Sequence, residues 1–135
     1  MNSLGQNTTA SGNTAVGDEA LASNTTGTGL VAVGKDALKT NATTNNNTAV
    51  GFDALTANTA NQNTAVGSQA LITNSTGANN TAVGMNSLFS NSTAANNTAV
   101  GYGSMENNTT GADNVAFGSE ALKQNTTGSN NTAIG

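Results

Sequence analysis

The sequence predicts an all-β protein: a parallel β-solenoid, β-roll-like, with one coil per 17-residue repeat and eight coils. Three observations predict this fold. A glycine recurs at a nearly fixed period, each unit is too short and too rich in β-branched and turn-forming residues for a packed helix, and repeats of this length bury a core only by stacking. The repeat fills the chain as a single array with units 1–17, 18–34, 35–51, 52–67, 68–84, 85–101, 102–118 and 119–135.

The consensus unit reads x-x-A-L-x-x-N-T-T-G-x-N-N-T-A-V-G. Seven units have 17 residues, and the fourth has 16 because it lacks one residue between Asn58 and Asn63. Loops on a protein surface tolerate a change of length better than strands do. The missing residue therefore predicts a turn at this point of every coil.

The T-A-V segment near the end of each unit predicts a short strand. Its alternation places Thr14 and Val16 on one face and Ala15 on the other. The valine column and the leucine column that follows the next glycine are expected to fill a thin core. The predicted core residues are Leu4, Val16, Leu21, Val33, Leu38, Val50, Leu55, Val66, Leu71, Val83, Leu88, Val100, Met105, Phe117, Leu122 and Ile134.

Two further columns predict how the coils turn and stack. Glycine adopts backbone angles that other residues avoid, so the glycine after each strand is expected to turn the chain. These turn glycines are Gly17, Gly34, Gly51, Gly67, Gly84, Gly101 and Gly118. Stacked asparagine amides can hydrogen-bond along a solenoid axis. The predicted asparagine ladder is Asn7, Asn24, Asn41, Asn58, Asn74, Asn91, Asn108 and Asn125.

The composition argues against several classes of function. Three lysines and seven acidic residues give a net charge of −4, which leaves no basic face for nucleic acid. The chain has no His and no Cys, and Asp18-Glu19, its closest carboxylate pair, occurs only once, so we predict neither an enzyme nor a cofactor site. Asp36, Asp53 and Asp113 do not recur in every repeat as a calcium-binding solenoid requires, so no metal site is expected. No apolar run is long enough for membrane insertion.

The V-A-V-G, V-A-F-G and N-T-A-I-G segments resemble the N-S-V-A-I-G motif in the heads of YadA-like trimeric autotransporter adhesins. The small third residue of each unit, such as Ser3, Ala20, Ser87 or Ser104, which two residues separate from the preceding repeat glycine where there is one, also matches that family. Similar repeats occur in bacteriophage tail fibres. The family's repeats are about three residues shorter, so the N-T-T-G half of each coil differs. The resemblance implies a parallel β-roll, a trimer, and a location on a cell surface or virion.

From these observations we expect a structural and adhesive segment of an extracellular, cell-surface or virion fibre. Such a segment extends the fibre and presents a repeated surface to a host-surface protein or glycan. A homo-oligomer is expected, because two large apolar side chains per coil make a meagre core for 17 ordered residues. Phe52, Met85 and Tyr102 occupy first positions of their units and are possible surface contacts, either with a partner or between chains.

Two alternative functions stay open at this stage. Neither end of the array shows a distinct capping unit, which is typical of a subunit that stacks head to tail into a filament. The threonine columns suggest an ice-binding solenoid. Against this, adjacent threonines such as Thr25-Thr26 point to opposite faces of a strand, and the A-V after Thr14 breaks the usual pattern of two outward threonines.

Overall fold

The computed structural model describes residues 2–135, which contain no helix. Eight three-residue strands follow one another along the chain. They are β1 Thr14–Val16, β2 Val31–Val33, β3 Thr48–Val50, β4 Thr64–Val66, β5 Thr81–Val83, β6 Thr98–Val100, β7 Val115–Phe117 and β8 Thr132–Ile134. All eight lie in one parallel sheet, in chain order. About seven turns of chain with a 17-residue repeat link them, so the predicted parallel β-solenoid is confirmed.

The sheet is in register from end to end. Thr14 pairs with Val31 and Ala15 with Ala32, and the same positions pair at every later step. The shortened fourth unit does not shift this register, because Thr48 still pairs with Thr64. The loss of one residue is therefore absorbed outside the strands.

Hydrogen bonds between coils also run outside the strands. The Leu21 amide donates to the Ala37 carbonyl at 3.0 Å, and the Thr25 amide donates to the Ala42 carbonyl at 2.9 Å. Equivalent bonds recur in the other coils. Successive coils are therefore joined on several sides. At about 4.8 Å per coil, the stack of eight coils forms a rod roughly 38 Å long.

Each coil bends at residues in the left-handed region of backbone angles. The leucine column has φ between 50° and 52°, a conformation that is uncommon for bulky side chains. The second and twelfth positions of most coils, such as Glu19 and Asn46, share it. These residues turn the chain between short extended segments. Each extended segment is therefore too short to show a clear hydrophobic period in the sequence.

The turn glycines have a second role in the stack. Gly67 has φ +136°, and a Cβ added there would lie 2.5 Å from the carbonyl carbon of Gly84 in the next coil. At Gly17, Gly34, Gly51, Gly84 and Gly101 an added Cβ would lie 2.3 to 2.5 Å from the backbone of the next coil, and at Gly118 it would lie 3.0 Å away. Glycine is required here by the close approach of two coils as well as by its backbone angles.

The core consists of small and medium side chains. Leu21, Leu38, Leu55, Leu71, Leu88 and Met105 are fully buried, whereas Leu4 and Leu122 are partly buried against the same cluster. The middle residue of each strand from β2 to β7, an alanine, is also fully buried. The leucine half of the predicted core therefore does face inward.

The valine half of the predicted core is wrong for the single chain. Val16, Val66, Phe117 and Ile134 are exposed, and Val33, Val50, Val83 and Val100 are only half-buried. Alternation along T-A-V shows that one face differs from the other, but it does not show which face is inside. Leucine and asparagine side chains already fill the narrow coil, so only alanine fits inward from the strand and the valines point out.

Candidate interaction surface

The predicted asparagine column lies inside the solenoid. Its six members from Asn24 to Asn108 are fully buried, and each side-chain amide donates to the Oδ1 of the asparagine one coil earlier. These Nδ2–Oδ1 distances lie between 2.8 and 3.5 Å. The same amides also donate to a carbonyl two or three residues further along their own coil. These asparagines tie the stack together and are not available to a ligand.

A second buried asparagine column was missed in the sequence. Its buried members are Asn47, Asn63, Asn80, Asn97 and Asn114, and Leu30 takes the position in the second unit. At the two ends of the column, Asn13 is half-buried and Asn131 is exposed. The Oδ1 of Asn63 accepts the main-chain amide of Asn80 at 2.9 Å, and its Nδ2 donates to the Gly77 carbonyl at 2.9 Å. The asparagine directly before the strand in seven of the eight units was the available signal.

The two asparagine columns meet at shared carbonyl groups. The Gly77 carbonyl accepts Nδ2 of Asn74 from its own coil at 2.8 Å and Nδ2 of Asn63 from the previous coil. The Asn63 amide also donates to Asn58 Oδ1 at 3.2 Å. Buried polar groups are costly unless they are hydrogen-bonded. This network satisfies them and holds each coil to the next.

The large apolar side chains that remain exposed are confined to one part of the surface. They are Val16, Phe52, Val66, Met85, Tyr102, Val115, Phe117 and Ile134. Each lies either at an outward position of a strand or directly after a turn glycine. The possible contact residues Phe52, Met85 and Tyr102 are 47%, 48% and 46% exposed, and we call their column the first-position corner.

The outward positions of β3 to β6 form a uniform surface, which we call the central strand face. Each of these strands presents a threonine and a valine outward with a buried alanine between them. Within residues 2–135, these four threonine hydroxyls donate no intramolecular hydrogen bond. The alanine is the inward residue, so each of these strands presents one threonine and one valine outward rather than two threonines.

Charged side chains lie away from this face. All of them occupy first, second, fifth or twelfth positions of their units. Lys39 contacts Glu19 of the preceding coil and Asp36 of its own coil, the latter at 3.3 Å. Lys123 similarly lies 3.3 Å from Glu106 and 2.6 Å from Glu120. Lys39 and Lys123 each join two neighbouring coils at the surface.

These ion pairs predict a small loss of stability in alkali. Hydrogen bonds donated to Glu19 and Asp36 raise the pKa of Lys39, and those donated to Glu120 and Glu106 raise the pKa of Lys123. When the pKa of a lysine is higher in the folded chain than its unfolded value of 10.5, its ion pairs add stability that is complete below pH 10.5. This added stability is lost as the pH rises through the folded-state pKa. We expect the melting temperature to fall slightly more above pH 10.5 in the wild type than in a Lys39→Met/Lys123→Met variant. Thermal unfolding followed by circular dichroism measures this, and equal falls would contradict it.

Residues 2–135 contain no cluster of three or more potential metal ligands, no detectable pocket and no helix suited to crossing a membrane. What they present is an extended, periodic outer surface. The fold defines this chain as a parallel β-solenoid repeat protein. It matches no protein-family model, no curated protein and no solved structure.

Proposed function

We propose that this chain is a structural and adhesive segment of an extracellular, cell-surface or virion fibre. The observation that carries the proposal is the unbroken register of eight coils. Main-chain bonds, two asparagine columns and stacked glycines repeat at each step, so the segment acts as a stiff spacer. Each coil contacts only its neighbours, as in other solenoids, and additional coils lengthen the rod without changing its surface.

We also propose that the segment works as a homo-oligomer, a trimer by its resemblance to adhesin heads. Support comes from the first-position corner, where Phe52, Met85 and Tyr102 remain about half exposed. Aromatic and methionine side chains are enriched where proteins contact one another. Packing between chains at this corner would add apolar burial to a core made largely of alanine, leucine and asparagine.

The mass and shape of the purified chain test this proposal. We expect light scattering after size-exclusion chromatography to give a small multiple of the chain mass, three by the resemblance, and negative-stain electron microscopy to show short rods. A Phe52→Ser/Met85→Ser/Tyr102→Ser variant should shift to single chains. A Thr43→Ser/Thr76→Ser/Thr93→Ser variant, altered at exposed positions of another corner, should keep the wild-type mass.

Two results would change the proposal. A wild-type chain that stays single at every concentration would overturn the homo-oligomer. Long uniform fibres of the wild type would instead show that coils of different copies stack end to end, which is the filament alternative. In that case the corner variant should still form fibres, because it leaves the main-chain edges of the coils unchanged.

A further inference from the structure

The two outward threonine columns of this protein are not equivalent: the threonines at the turn are exposed, whereas those of the central strand face are half-buried. The column that includes Thr26, Thr43, Thr76 and Thr93 lies at a turn, and the shortened fourth unit interrupts it. The column on the central strand face continues through that unit, because β3 and β4 stay in register. A regular lattice of side chains therefore exists only on the strand face.

The geometry of the central strand face follows from the sheet. Neighbouring coils are about 4.8 Å apart, and outward residues of one strand are separated by roughly 6.6 Å. Over four coils the same pair, threonine and valine, repeats without a change of side chain. Main-chain bonds between the coils, such as that from the Thr64 amide to the Asn80 carbonyl at 2.8 Å, hold the strands at this spacing.

The chemistry of the face is equally uniform. The valine and threonine methyl groups restrict the first layer of water, and each threonine hydroxyl can both donate to and accept from that layer. The hydroxyls of Thr48, Thr64, Thr81 and Thr98 have no partner within the described part of the chain. No charged residue interrupts this surface. The face therefore offers a regular array of methyl and hydroxyl groups to an ordered layer of water.

The area of the face argues against a second copy as its partner. Four coils of about 4.8 Å and a width of roughly 10 Å give about 190 Å², whereas each partner of a stable protein interface buries about 800 Å². Ice is an extended lattice and does not need a matched protein surface. We propose that the central strand face binds ice, with Thr64, Thr81, Val66 and Val83 at its centre. This names what the proposed fibre segment attaches to, and it rests on that function.

Ice-affinity partitioning and thermal hysteresis test the inference. We expect the wild-type chain to be enriched in slowly grown ice relative to the remaining liquid, and to lower the freezing point below the melting point. A Thr64→Lys/Thr81→Lys variant should lose both effects, because it places charge and bulk on the face. A Thr76→Lys/Thr93→Lys variant carries the same changes on the interrupted column and should keep them.

A milder variant guards against misfolding. Thr64→Ser/Thr81→Ser keeps the hydroxyls and removes two methyl groups, so it should fold, as circular dichroism will show, and bind ice more weakly. Exclusion of the wild type from ice would overturn the inference, and so would ice binding that survives in Thr64→Lys/Thr81→Lys. A change of this variant to single chains would identify the face as a contact between copies and also overturn it. Oligomers and rods that form without ice binding would leave the proposed fibre function standing.

Discussion

Replacing Asn74 by aspartate is expected to destabilise the solenoid by about 3–5 kcal/mol at neutral pH, the range seen when a buried charge is left unpaired. The Asn74 amide donates to Asn58 Oδ1 at 2.8 Å and to the Gly77 carbonyl at 2.8 Å. A carboxylate of the same shape cannot donate, and it would face two acceptors inside the core. The change leaves no cavity, so the effect measures the hydrogen-bond network itself.

The penalty at Asn74→Asp should depend on pH in a defined direction. Burial beside two acceptors raises the pKa of the introduced carboxyl group in the folded chain, so the penalty is full at neutral pH and shrinks as the pH falls towards about 4. Urea unfolding at both pH values measures this. Asn79→Asp is the matched control, because Asn79 is exposed and Asp113 naturally occupies the same position in its own coil with the same φ of 59°. Equal losses in the two variants would contradict a structural role for the buried column.

Gly67→Ala is expected to cost about 2–6 kcal/mol of unfolding free energy, the sum of typical backbone strain and overpacking penalties. Its φ of +136° is a region that side chains rarely adopt, and the new Cβ would lie 2.5 Å from the Gly84 carbonyl carbon. Relief would require the two coils to separate, which would break the bond from the Gly84 amide to the Val66 carbonyl at 2.7 Å.

Gly103→Ala provides the control for this substitution. Gly103 also has a positive φ, +58°, but the nearest atom to an added Cβ is a carboxylate oxygen of Glu106 at 3.1 Å, the mobile end of a side chain. The same position holds Glu19 or Asp36 in other coils, with similar backbone angles. We expect a loss of about 1–2 kcal/mol, the usual cost of a side chain in the left-handed region. Chemical unfolding of both variants measures the two losses of unfolding free energy. A loss in Gly67→Ala as small as that in Gly103→Ala would refute the close-approach argument.

The repeat period was enough to predict the fold, because a strict register over eight units leaves few ways to bury a core. The orientation of each strand was beyond the sequence. Alternation placed Thr14 and Val16 together, yet their side of the sheet depends on how much space the coil encloses. That space is set by the left-handed turns at residues such as Leu21 and Glu19, which no residue preference predicts.

The candidate surface was predictable only in part. Phe52, Met85 and Tyr102 could be assigned to an exposed corner because charged residues share their column. The strand face could not be identified while its valines were assigned to the core. Its hydroxyl and methyl lattice emerges only when the alanines are known to point inward, with one threonine and one valine of each strand pointing outward.

The missing residue of the fourth unit identifies where the length of a coil can change while the strands stay paired in register. The chain between Asn58 and Asn63 is one residue shorter than elsewhere, and the sheet on either side pairs as usual. The scaffold therefore tolerates the loss of one residue at this corner with its strand pairing unchanged. The same corner is a rational place to graft a foreign epitope or affinity tag, displayed at a chosen height along the rod.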